Sequence, residues 1–110
     1  MAYYMWTGSY TREAMQALIK KPEDREAAVR KVVEAAGGKL HHAFVSLGSS
    51  DFLLIAEFPD DTSAVAVSLA VGASGSVSSG MTTKLITMAE FAKAQKKAGK
   101  VAARYKPPQK

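Results

Sequence analysis

Gly48-Ser49-Ser50-Asp51-Phe52-Leu53-Leu54-Ile55-Ala56-Glu57-Phe58-Pro59-Asp60-Asp61 decides the architecture of this chain. The first four residues are the glycine, serine and aspartate that a tight hairpin turn uses. The next seven have the length and apolar content of a strand, and Pro59-Asp60-Asp61 stops it. Toward the N-terminus, residues 40–47 alternate well enough to pair back onto this strand across the turn. Toward the C-terminus, residues 59–62 place carboxylates and a hydroxyl where the start of a helix favours them, and residues 64–73 form that helix.

The flanking segments complete the pattern. Tyr3-Tyr4-Met5-Trp6-Thr7 has strand composition, and Thr11 followed by Arg12-Glu13 offers an N-cap with acid in the first turn. Met15, Leu18 and Ile19 share a helical face; Val29, Val32, Val33 and Ala36 resume the spacing after an interruption at Lys21-Pro22, where proline suits the first position of a new helix. One kinked helix or two abutting helices thus cover residues 12–36, ended by Gly37-Gly38. Residues 77–88 read as a fourth strand, and Met88-Ala89-Glu90-Phe91 leads into a basic helix that frays before Pro107-Pro108. The order β-α-β-β-α-β predicts an α+β, ferredoxin-like sandwich with a C-terminal helical extension: helices on one face of an antiparallel sheet, the other face open. Residues 1–91 form the domain, and residues 92–110 form a basic helix and tail.

Charge is unevenly spread over the 110 residues. Residues 1–90 carry eight Lys or Arg against ten Asp or Glu, a balance of −2, whereas residues 91–110 carry seven basic residues and no acid, a balance of +7. Such an end can attract nucleic acid or anionic lipid, but it is equally an ordinary solubilising terminus. The absence of cysteine excludes a disulfide framework and thiolate chemistry. The N-terminus has no basic stretch followed by an apolar run, so the cytoplasm is the expected location.

Residues 62–83 contain no Asp, Glu, Lys or Arg. A helix that is apolar all round cannot present an ordinary face to water, so its outer side, with Val65 and Leu69, is expected in a subunit interface. A membrane span is the weaker reading, because the apolar run over residues 64–73 is half of the roughly 20 residues that a bilayer needs.

Several short pieces stand in a telling order: Tyr10-Thr11 before the first helix, Lys21-Pro22-Glu23-Asp24-Arg25 in its interruption, Gly37-Gly38-Lys39-Leu40, Leu47-Gly48-x-x-Asp51, Pro59-Asp60-Asp61 and Gly72-x-x-Gly75. Together, over residues 3–91, they resemble the GYD-domain family, which is similar to the dimeric α/β-barrel group of ferredoxin-like proteins. Ser50 stands where the family's name motif has an aromatic residue before the aspartate. The resemblance implies self-association as a homodimer or higher homo-oligomer, and it brings no catalytic residues with it.

Strand parity nominates the residues that face the open side of the sheet. Phe52, Leu54, Ala56 and Phe58 should face the helices, leaving Leu53, Ile55 and Glu57 on the open face, with His42 and Phe44 joining them and Lys84 on the last strand. On the first strand, Tyr4 and Trp6 are the expected open-face pair. These residues nominate His42 as a general base and Glu57 as its orienting partner, with Tyr4, Trp6, Phe44 and Lys84 as ligand-binding residues. The structural alternative is a Glu57–Lys84 cross-strand ion pair among interface aromatics. His41 and His42 are adjacent in a strand, should project to opposite faces, and predict no metal site; Asp51 is expected to cap the hairpin, and Asp60 and Asp61 to cap a helix. The glycines and serines of residues 72–80 lack the spacing of a nucleotide loop, and no cofactor is expected.

The function that follows is an oligomeric small-molecule-binding or structural module. The alternative is a cofactor-free isomerase, decarboxylase or oxygenase acting on a small aromatic or carbonyl substrate. RNA stacking on Tyr4, Trp6 and Phe44 is a third reading, disfavoured by Glu57 in the platform and by the net-negative body.

Overall fold

The hairpin that organises the sequence also organises the sheet. In the computed structural model, which describes residues 1–109, β1 (Ala2–Tyr10) is followed by α1 (Arg12–Lys20), α2 (Arg25–Ala35), β2 (Lys39–Val45), β3 (Phe52–Phe58), α3 (Asp61–Ala73), β4 (Val77–Leu85) and α4 (Met88–Ala102). The four strands form one antiparallel sheet in the order β2-β3-β1-β4. This α+β arrangement is consistent with the ferredoxin-like fold: β3 sits between β2 and β1, and each βα unit crosses over one strand.

The element boundaries follow from caps. Thr11 accepts a hydrogen bond from the Ala14 amide and starts α1, while its own hydroxyl donates to the Gly75 carbonyl and ties the helix to the start of β4. Asp24, not Pro22, starts the second helix, by accepting from the Glu26 amide at 2.9 Å; the proline therefore lies in the link rather than at a first helical position. Gly37, at φ 80°, ends that segment in the left-handed conformation that favours glycine. Asp60 caps α3 through the Ser63 amide at 2.8 Å. The hairpin loop is longer than predicted: the Ser46 amide bonds to the Asp51 carbonyl, so β2 ends at Val45 and Leu47 lies wholly exposed in the loop. The fourth strand is shorter, ending at Leu85, because Thr87 leaves the sheet to cap α4.

The core lies between the sheet and its helices. Tyr4, Leu40, Phe52, Leu54, Ala56 and Phe58 from the strands meet Val33 of α2 and Ala64 and Val67 of α3. By contrast α1 contributes no buried residue, and Met15 and Ile19 of its predicted inner face are exposed. The molecule measures 60 × 35 × 22 Å, and every residue of α4 is exposed.

Candidate functional site

The site is set by which side of the sheet each strand residue faces. Tyr4 pairs with Ala56 and Trp6 with Leu54, so both face the helices, opposite to the expectation for this strand. Aromatics stand at both parities of residues 3–6, so the sequence offers no polar-apolar alternation there; the register against the β3 core positions decides. Tyr4 is only 5% exposed and joins the core. The open face of β1 instead carries Tyr3, Met5 and Thr7, beside Glu57, Ile55 and Leu53.

Beyond Tyr4 the helix side opens into a cavity of about 670 Å³ between α2 and α3. Its floor and end wall are aromatic: the Trp6 and Phe52 rings meet edge to face at 5.4 Å, and Tyr10 lies 5.2 Å from Phe52. Two glycines make room for this cluster. A Cβ on Gly8 would stand 2.6 Å from the Phe52 ring, and one on Gly80 would stand 2.9 Å from the indole nitrogen of Trp6. Val29 and Val32 of α2 and Val71 of α3 form the sides, and the small side chains of Ala28, Ala43 and Ala70 leave the space unfilled. Glu23, Asp24 and Glu26 stand exposed at the mouth. The volume lies within the range that small-molecule sites span, with an apolar interior and polar groups at one edge. Of the nominated residues, Trp6 and, at the edge strand, Phe44 border this site; the cavity itself escaped the sequence, because helix packing, not strand parity, creates it.

The open face carries a second cluster. The register of β2 on β3 slips between Leu40, opposite Ala56, and His42, opposite Ile55. This bulge inserts His41 as an extra residue, and alternation fails across it. His41, not His42, reaches Glu57, with Nε2 and Oε1 2.6 Å apart and the two side chains 26% and 20% exposed. The ring of Tyr3 lies 5.5 Å from that of His41. His42 keeps its expected face and stacks on Phe44 at 5.9 Å, so the nominated His42–Glu57 pair is replaced by His41–Glu57. The bulge also explains why Leu40 is buried on the helix side although parity would place it with His42.

Lys84 belongs to neither cluster. It pairs with Tyr4 across β1 and β4, hence points to the helix side, where Nζ lies 2.9 Å from Asp61 Oδ1 and 6.0 Å from the Tyr4 ring centre. On an edge strand a lysine can run its stem along the rim of the core and keep its charge in water, so a cationic residue is tolerated on the apolar side. The Glu57–Lys84 ion pair is therefore absent: Glu57 meets His41, and Lys84 meets Asp61. The Tyr4 hydroxyl donates to Asp61 Oδ1. That bond, followed by the Lys84 ammonium, holds the Asp61 carboxyl below the usual carboxylate range, while the shared anion raises both Tyr4 and Lys84. These three groups fasten the start of α3 to β1 and β4.

Asp51 accepts a hydrogen bond from the Tyr10 amide at 2.9 Å, and its own amide donates to the Gly8 carbonyl. It accepts a backbone N–H as expected, but from β1 rather than within the turn, and so clamps the hairpin to the end of the central strand. Val65 and Leu69 lie on the outer side of α3, 51% and 68% exposed. Among the described residues no three His, Asp or Glu side chains gather as a metal site, and no helix is long and apolar enough to cross a membrane.

A sequence model described as the GYD domain matches residues 4–95 of the chain. No curated protein matches it.

Proposed function

The chain belongs to the GYD-domain family, and from that premise we propose that it is a homo-oligomeric cytoplasmic module that binds a small, largely apolar molecule between its sheet and helices α2 and α3. The observation that carries this reading is the cavity of about 670 Å³ walled by Trp6, Tyr10 and Phe52. Self-association is supported by the uncovered face of the sheet, where Met5, Leu53, Ile55 and Leu85 leave an apolar surface that a second copy would cover in a dimeric α/β barrel. The outer side of α3, with Val65 and Leu69, is a second candidate interface. Native mass spectrometry of protein purified without added ligand tests both parts. An oligomer with a stoichiometric extra mass is expected; a bare monomer contradicts the reading. Val65→Lys or Leu69→Lys should lower the oligomer mass, and an unchanged mass removes α3 from the interface.

A second, enzymatic reading is favoured by the His41–Glu57 contact on the open face. There Glu57 orients the imidazole of His41, which acts as a base toward a small aromatic or carbonyl substrate held between two sheets. His41→Ala should then abolish turnover while His42→Ala leaves it intact; the reverse order would reject it. RNA stacking loses its platform, since Tyr4 and Trp6 lie on one side of the sheet and Phe44 on the other.

A further inference from the structure

The cavity between α2 and α3 offers no free charge with which to recognise an ion. At its mouth Glu23 is paired with Arg25, Glu26 meets Arg30 at 3.0 Å, and Asp24 is spent on the Glu26 amide as the cap of α2. An ionised group on a ligand would find no counter-charge within and would stay in water at the open edge. Recognition therefore falls to the rings and hydroxyls of the lining.

The hydroxyls beside the end of α3 have a defined direction. Ser74 Oγ donates to the Val71 carbonyl at 2.6 Å, which uses its single proton. Ser76 Oγ lies 2.8 Å from Ser74 Oγ, so in that contact Ser76 is the donor and Ser74 the acceptor. The Ser76 proton is thereby spent as well, and among the described residues no N–H or O–H donates to Ser76 Oγ. Ser76 is half-buried in the cavity wall, with both lone pairs of its hydroxyl open. A ligand satisfies that oxygen only by donating to it.

The same end of the cavity is aromatic. Val77, the next residue, pairs with Tyr10 of β1, whose ring stands 5.2 Å from that of Phe52, and Phe52 stands 5.4 Å from Trp6. Rings at such spacings attract one another beyond the area they bury, so one more ring extends the cluster on favourable terms that a saturated ring of the same shape does not obtain.

We propose that the cavity takes an aromatic compound bearing a hydroxyl group, its ring against the wall of Trp6, Phe52 and Tyr10 and its hydroxyl donating to Ser76 Oγ. The inference rests on the cavity reading above and names the class of its ligand.

The test is isothermal titration calorimetry with naphthol, its methyl ether and decahydronaphthol, with Ala43→Phe, which fills the cavity, as the control for place. Naphthol should bind about fivefold more tightly than its methyl ether, as the gain of one hydrogen bond would give. It should also bind about fivefold more tightly than decahydronaphthol, which keeps the hydroxyl and lacks the π-system. Ser76→Ala should erase the first preference, and Ser76→Thr, which keeps a hydroxyl, should retain it. Equal binding of naphthol and its ether, a preference that survives Ser76→Ala, or equal binding of decahydronaphthol would each overturn the ligand class while leaving the cavity reading in place. Much tighter binding of hydroxynaphthoate than of naphthol would overturn it too, by revealing recognition of an ion. No binding by any of these compounds, or binding indifferent to Ala43→Phe, removes the cavity reading and the proposal with it.

Discussion

The two sides of the sheet are built from alternate residues of the same strands, yet one is a packed core beside a cavity and the other is a bare apolar surface. On β3 the contrast falls between neighbours: Phe52, Leu54, Ala56 and Phe58 are buried, while Leu53, Ile55 and Glu57 are half-buried on the open face. The lesson is that apolar residues on an uncovered face contribute little to folding of one copy and are available for association, whereas those facing the helices decide stability and shape the cavity.

The sharpest break of this comparison is the pair Leu54→Ala and Ile55→Ala. Leu54→Ala should cost about 2–5 kcal/mol in chemical denaturation because it empties a core position. Ile55→Ala should cost much less in dilute protein, and its effect should grow with concentration if a second copy covers the open face. Equal costs at all concentrations would erase the distinction. Next in size, Gly8→Val places a Cβ 2.6 Å from Phe52 Cζ and 2.7 Å from the Ser79 carbonyl, and should destabilise by about 1–3 kcal/mol while shifting Trp6 emission. The same change at Gly48, in the exposed loop, should leave Trp6 emission unmoved.

A smaller effect concerns pH. The Asp61 carboxyl is lowered by the Tyr4 hydroxyl and by Lys84. A depressed carboxylate stabilises the fold above its unfolded value, and that contribution is lost as pH falls through its folded value, below the usual carboxylate range. Wild type should therefore lose thermal stability on acidification more steeply than Asp61→Asn, with the curves converging at the acid end; parallel curves would remove Asp61 from the account. The smallest expected change is Gly99→Ala. Nothing lies within 4 Å of the position in α4, so the substitution should raise helix stability by about 1 kcal/mol, read as increased helicity by circular dichroism.

Much of the architecture was legible because the signals were local. Thr11 and Asp60 announce helix starts, Gly37 announces an end, and the Phe52–Phe58 run carries a clean period of two, whereas the cap at Asp24 was passed over for Pro22. The misreadings arose where alternation carried no information or failed. Tyr3, Tyr4, Met5 and Trp6 are all large and apolar, so only pairing with β3 shows which of them face inward. The bulge at His41 has no sequence mark, yet it moves the contact with Glu57 from one histidine to its neighbour. Lys84 reads as an open-face residue because charge usually marks the solvent side, but its partner Asp61 stands at the helix side of an edge strand. The cavity was least legible of all. It depends on alanines of separate elements standing opposite one another, which no single segment reveals.

The central claim is that the ligand space lies on the helix side of the sheet. Trp6 is the chain's single tryptophan and forms part of that cavity's wall, so its fluorescence reads occupancy directly. The measurement is a titration with anilinonaphthalene sulfonate, following energy transfer from Trp6 in wild type, in Ala43→Phe, which fills the cavity from its floor, and in Ile55→Glu, which alters the open face. Saturable transfer that survives Ile55→Glu and is lost in Ala43→Phe is the predicted result. Transfer indifferent to Ala43→Phe but abolished by Ile55→Glu would place the ligand on the open face and contradict the account.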